Sequence, residues 1–139
     1  MKDRVFVDTN ILIYAHDKDA GAKHRMAAVV VEELWNNRNG VISSQVIEEF
    51  YVNVTRKISR PLPRSEVRRI ISNYFAWHME PINPETILSA SELEERYLLS
   101  FWDALIIATA SQAGAETLLS EDLNHGQIVE GVLIHNPLL

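Results

Sequence analysis

The sequence predicts an α/β domain in which a central parallel sheet is flanked by helices. Three observations predict it. Short β-branched or aromatic runs alternate along the chain with segments of helical apolar spacing. Several of these runs end in Asp, Ser or Asn, the residues that punctuate a strand-to-helix turn. The 139 residues contain no repeat, low-complexity tract or linker-like stretch, so residues 1–139 read as a single domain large enough to bury a core. Strands that alternate with helices are joined by crossovers and line up parallel.

Taken in order, Val5-Phe6-Val7 reads as a buried strand that turns at Asp8-Thr9-Asn10, with Asn10 as the cap of a helical segment through Tyr14. Lys23 to Asn36 has helical spacing, stopped at Asn39-Gly40. Val41-Ile42 is a second strand, and Ser43 or Ser44 caps a helix through Val54. Pro61 and Pro63 make a loop, and Ser65 opens another amphipathic helix. Met79 to Ile82 reads as a third strand. Asn83-Pro84 is a cap followed by proline at the first helical position, with the helix running to about Arg96. Ser100 to Ala113 is a very apolar helix stopped by Gly114. Thr117–Leu119 and Val132–Ile134 are the last strands, separated by the polar turn Ser120 to Gly126.

Composition narrows the chemistry. Cysteine is absent, which excludes disulfides, thiolate metal sites and a thiol nucleophile. No signal peptide or membrane-length apolar run is recognisable, and the expected location is cytoplasmic. The net charge of -6 does not suggest a nucleic-acid binder. The distribution does: six of the thirteen basic residues, including Arg64, Arg68 and Arg69, lie between residues 56 and 69 with only Glu66 opposing them. This segment is either a solvated helix face or an RNA-backbone contact.

Four acids stand at the active ends of different elements. Asp8 follows the first strand, Glu49 lies on the helix after the second, Asp103 is in the first turn of the apolar helix, and Asp122 follows the strand at Thr117–Leu119. Ligands of open parallel sheets bind outside the carboxyl ends of the strands. Each acid also has an ordinary structural reading: a turn or cap for Asp8, a cap or dipole partner for Asp103, a polar turn for Asp122. Glu49 shares a helical face with Gln45, while Glu48 points about 100° away. Together, clustered carboxylates resist ionising unless a hard cation neutralises them, and Mg2+ or Mn2+ prefers such oxygen donors.

The segments that bear these acids carry a resemblance. Val7-Asp8-Thr9-Asn10-Ile11-Leu12, Ser44-Gln45-Val46-Ile47-Glu48-Glu49-Phe50, Asp103-Ala104-Leu105-Ile106-Ile107-Ala108 and Leu119-Ser120-Glu121-Asp122-Leu123 resemble, in order and spacing, the acid-bearing segments of PIN-domain ribonucleases, particularly VapC-type toxins of toxin–antitoxin pairs. The resemblance covers nearly the whole chain. It implies a three-layer α/β/α fold and a Mg2+- or Mn2+-dependent endoribonuclease, frequently a homodimer, blocked by an antitoxin protein. It implies Asp8, Glu49 (over Glu48), Asp103 and Asp122 as the catalytic and metal-holding set. Thr9, Asn10 and Ser120 are candidates for orienting these carboxylates, although turn and capping chemistry is the favoured reading of Thr9. Glu121 is a reserve ligand.

Three rivals stand beside this reading. An aspartate-nucleophile phosphatase needs an acid two residues after the first, where this chain has Asn10. A histidine acid–base ribonuclease has His16, His24, His78, His125 and His135 to draw on, in no recognisable set. A catalytically inert PIN-like RNA- or protein-binding module is the alternative of another class. Among the aromatic residues, Phe50 is expected in the core, and Tyr51, Tyr74, Phe75, Trp77 and Trp102 remain open between core packing and base stacking.

Overall fold

The computed structural model describes residues 3–139. Six strands, β1 (Val5–Val7), β2 (Gly40–Ser43), β3 (His78–Glu80), β4 (Thr117–Leu119), β5 (Ile128–Val129) and β6 (Val132–His135), form one sheet in the order β3-β2-β1-β4-β6-β5. All neighbours run parallel except β5 and β6. The central sheet is thus mostly parallel, as expected, with one antiparallel edge strand that the sequence did not announce. β5 is only two residues long, too short to carry a periodic signal, and it forms because Gly131 turns the chain back at φ +78°.

Among the described residues, six α-helices flank the sheet: α1 (Thr9–His16), α2 (Ala22–Asn37), α3 (Ser44–Arg56), α4 (Arg64–Tyr74), α5 (Pro84–Tyr97) and α6 (Phe101–Gln112). Helices α1 to α4 pack on one another, and α5 packs on α6, giving two helical layers with the sheet between them. The sheet interior is apolar, with Phe6, Val7, Ile42, Leu118 and Ile134 buried. The central helix α6 is buried from Ala104 to Ala110, which is why its sequence is apolar all round. Phe50 is fully buried, as expected, and Tyr74 and Trp77 are buried with it, whereas Phe75 and Trp102 are exposed.

Several boundaries differ for local reasons. α1 begins at Thr9 because Asp8, not Asn10, caps it. α2 ends at Asn37, capped by Arg38 held left-handed at φ 56°, so Gly40 does not stop the helix. Gly40 instead opens β2, where a Cβ would stand 2.5 Å from the Trp77 ring. The indole lies directly over this strand, and only glycine leaves room for it. Asn83 caps α5 with Thr86 in a reciprocal capping box, as the Asn-Pro signal predicts.

Candidate active site

The carboxyl ends of β1 and β4 lie side by side, and the site is assembled there. Asp8 is extended, and its Oδ1 accepts from the Thr9 amide at 2.7 Å. This frees Asn10 from capping, and its Nδ2 donates to Asp122 Oδ2 at 2.7 Å. Ser120, fully buried at the end of β4, donates from Oγ to Asp8 Oδ2 at 2.9 Å. The same Oγ accepts from the Asp122 amide at 3.3 Å. One serine therefore ties the loop after β4 to the end of β1.

α3 supplies the next acid. Ser43 caps this helix by accepting from the Val46 amide at 3.4 Å, which sets the rotation of its first turns. Glu48 then stands exposed at the rim and Glu49 is half-buried. Glu49 Oε1 accepts from Thr9 Oγ1 at 2.6 Å. The Thr9 side chain thus holds a carboxylate, where the sequence favoured a turn or cap. α6 supplies the fourth. Its cap is Ser100, whose Oγ accepts from the Asp103 amide at 3.1 Å, leaving the Asp103 carboxylate free of capping duty. Among the described residues, no side-chain hydrogen bond fixes that carboxylate.

Asp8, Glu49, Asp103 and Asp122 line one cavity of about 430 Å3. Burial pushes the Asp8 carboxyl up from 3.8 to about 6, and the charges of Asp122 and Asp103 push the same way against the Ser120 and Thr9 hydrogen bonds. Asp122 is also raised, first by burial and then by Glu121 and Asp103. The cavity therefore holds more negative charge than Lys57, the one cation lining it among the described residues, offsets. Among the described residues, no three His, Asp or Glu side chains are already drawn around one point as for a bound ion. The donor set nevertheless fits a hard divalent cation, which takes a few carboxylates and completes its shell with water or a substrate phosphate.

Residues outside this group sort themselves. Glu121 does not line the cavity: its Oε1 accepts from Tyr14 Oη at 2.7 Å and its Oε2 pairs with Lys23 Nζ at 2.6 Å. It clamps the loop of Asp122 and is not placed as a reserve ligand. Arg64, Arg68 and Arg69 are exposed on α4 and do not line the cavity; Arg69 lies 3.9 Å from Glu66. Arg60 instead pairs with Asp19 at 2.6 Å. Lys57 and Trp102 do line the cavity; the sequence placed Lys57 only within the basic run at 56–69 and left Trp102 open between core packing and base stacking. Lys57 lies eight residues after Glu49, one residue past the end of α3, close enough to the same face for that spacing to have been the available signal. None of the five histidines reaches the cavity: His16 meets Tyr74, His24 the Tyr14 carbonyl, His78 Glu80, and His125 packs on His135.

The fold is found in known proteins. The family model described as PIN domain matches residues 5–130. No curated protein matches the chain in sequence. Similar solved structures include a toxin–antitoxin complex from Klebsiella pneumoniae, 23% identical over 96% of this chain and 97% of that one, with a TM-score of 0.70. DNA-bound VapBC from Salmonella typhimurium is 14% identical over 98% and 99% of the two chains, with a TM-score of 0.67. VapC20 of Mycobacterium tuberculosis, a toxin that cleaves the sarcin–ricin loop, is 20% identical over 85% and 89%, with a TM-score of 0.66. At these identities the structures establish a shared fold, and the family match extends over most of the sequence: the chain belongs to the PIN domain family.

Proposed function

We propose that this chain is a metal-dependent endoribonuclease that hydrolyses RNA phosphodiester bonds, and that it is the toxin of a type II toxin–antitoxin system. One observation carries the reading: four acids from four separate elements line a single cavity, and the most buried of them, Asp8, has no cation of the protein beside it. The toxin assignment is supported by the similar structures, several of which are toxin–antitoxin assemblies. Inert binding alone gives no reason to gather four carboxylates at a cost in charge repulsion.

Asp8, Glu49, Asp103 and Asp122 would hold Mg2+ or Mn2+, directly or through water. Such an ion, when bound, supplies Lewis acidity toward a phosphoryl oxygen and lowers the pKa of a water. The protein's own task is orientation. Ser120 and the Thr9 amide fix both oxygens of Asp8, Thr9 Oγ1 fixes Glu49, and Asn10 fixes Asp122. Asp103, held by no such bond among the described residues, is the donor that adjusts when cation and substrate arrive.

The proposed partners follow. The antitoxin blocks the cavity, with a basic side chain placed among the carboxylates. The exposed Arg64, Arg68 and Arg69 contact RNA backbone beyond the cavity. The active species is a homodimer in the cytoplasm; among the described residues no helix is long and apolar enough to cross a membrane. The test is cleavage of a mixed RNA pool by the purified protein with Mg2+ or Mn2+, with EDTA, and with the Asp8→Asn variant. Cleavage that needs metal and Asp8, leaving 5′-phosphate and 3′-hydroxyl ends, is expected. Activity that survives EDTA overturns the mechanism.

A further inference from the structure

The cavity has an edge that its acids do not explain. Trp102 stands in the first turn of α6, next to Asp103, and is 62% exposed although it lines the cavity. An indole is costly to leave in water, and the other two tryptophans do not do so: Trp77 is buried, and Trp35 is half-buried against the core. Phe101 supports the ring from behind, edge to face, with centroids 5.4 Å apart and planes at 77°. The ring is thus braced on one side and open on the other. Among the described residues, Lys57 is the one basic side chain that lines the cavity, just beyond the last turn of α3. From Glu49 to Lys57 the helix rises by about 12 Å.

Charge makes such a wall necessary. The chain carries a net charge of -6, and the cavity floor is acidic. Backbone phosphates, the usual source of affinity for nucleic acid, meet little positive charge here. Stacking of a base on an aromatic ring does not depend on charge and tolerates any base.

We infer that Trp102 stacks on an unpaired nucleobase beside the scissile phosphate while Lys57 holds a neighbouring phosphate, so that the strand enters between α3 and α6. This rests on the nuclease reading above and adds two substrate-binding residues to it. Trp102 is a binding residue, and its loss acts on substrate affinity rather than on the metal.

The test is binding of a labelled, mixed-sequence single-stranded RNA to the Asp8→Asn protein in Mg2+, alone and with Trp102→Ala, Trp102→Phe or Lys57→Gln added. Trp102→Ala should weaken binding about 5- to 100-fold with an unchanged salt slope. Trp102→Phe should restore most of the affinity. Lys57→Gln should lower the salt slope by about 0.7. Tryptophan emission should be quenched by RNA in the parent and not in Trp102→Phe. Equal affinity in Trp102→Ala overturns the inference, including the case in which that variant alters only sedimentation and the ring is a contact between copies. Tighter binding of duplex than of single-stranded RNA overturns it too. Metal-dependent cleavage by the unsubstituted protein, run in parallel, separates this failure from failure of the nuclease reading, which would remove both.

Discussion

Replacing Asp8 with asparagine should make the metal-free protein more stable at neutral pH. The folded pKa of Asp8, about 6, lies above its ordinary 3.8. A carboxyl shifted this way contributes stability that is present below 3.8 and is lost as pH rises through 6. Above that, the folded state holds a buried charge that the unfolded state would solvate freely. The gap corresponds to about 3 kcal/mol. The asparagine side chain of Asp8→Asn keeps the bond from the Thr9 amide and can donate to Ser120 Oγ, a reversal worth about 1 kcal/mol at most. The net gain at pH 7.5 is then about 2 kcal/mol, or about 7 °C in Tm for a domain of this size. The comparison must be between variants, because His16 works in the opposite sense. Burial lowers its pKa from 6.5 to about 4, so its contribution is present above 6.5 and lost as pH falls toward 4, masking part of the Asp8 slope. The assay is thermal unfolding of both proteins in EDTA from pH 4 to 8. The gain should vanish below pH 4, and saturating Mg2+ or Mn2+ should raise the Tm of the parent more than that of the variant. An Asp8→Asn protein that melts at or below the parent at pH 7.5 in EDTA would refute the claim that Asp8 bears uncompensated charge.

Other expectations are more local. Thr9→Val removes the bond to Glu49 with little change of shape and should weaken Mn2+ binding about 10-fold by calorimetric titration, with unfolding free energy changed by about 1 kcal/mol. Glu121→Gln should reduce cleavage less than about 10-fold, whereas Asp122→Asn should reduce it more than about 100-fold, because of the two only Asp122 lines the cavity. Gly40→Ala places a methyl 2.5 Å from the Trp77 ring and should cost about 1–3 kcal/mol in urea unfolding. Replacing Arg64, Arg68 and Arg69 with Gln should flatten the salt dependence of RNA binding; an unchanged slope removes them from the interface.

Most of the fold was legible because its signals are local. Val5–Val7 and Thr117–Leu119 are short apolar runs between polar turns, and Asn83-Pro84 and Ser100 are caps whose chemistry belongs to a few residues. β5 was not legible, because its pairing with β6 rests on a glycine turn and two residues. The meeting of Asp8 and Asp122 was legible from strand ends, since a parallel sheet delivers those ends to one edge, whereas Glu49 and Asp103 arrive there on helices and were placed by the resemblance. The partners of the carboxylates were only half legible. Ser120 and Asn10 were named as candidates, but the bond from Thr9 to Glu49 joins residues 40 apart and depends on how α1 and α3 pack. Helix capping explains Thr9 equally well until that packing is known. Lys57 was hidden for the same reason: in sequence it belongs to the basic run, and in space it faces the acids.

The bonds from Asn10 to Asp122 and from Ser120 to Asp8 each close a loop of 112 residues. No shorter stretch of the chain contains a finished site. During translation the first acid leaves the ribosome long before the fourth has been made, and β4, which precedes the fourth, cannot settle between β1 and β6 until β6 has followed it out. On the proposed nuclease reading, the growing polypeptide is therefore harmless to the RNA that surrounds it at the moment of its synthesis. On that reading competence arrives only once β4 and β6 have joined β1, and an antitoxin made alongside has that interval in which to be waiting.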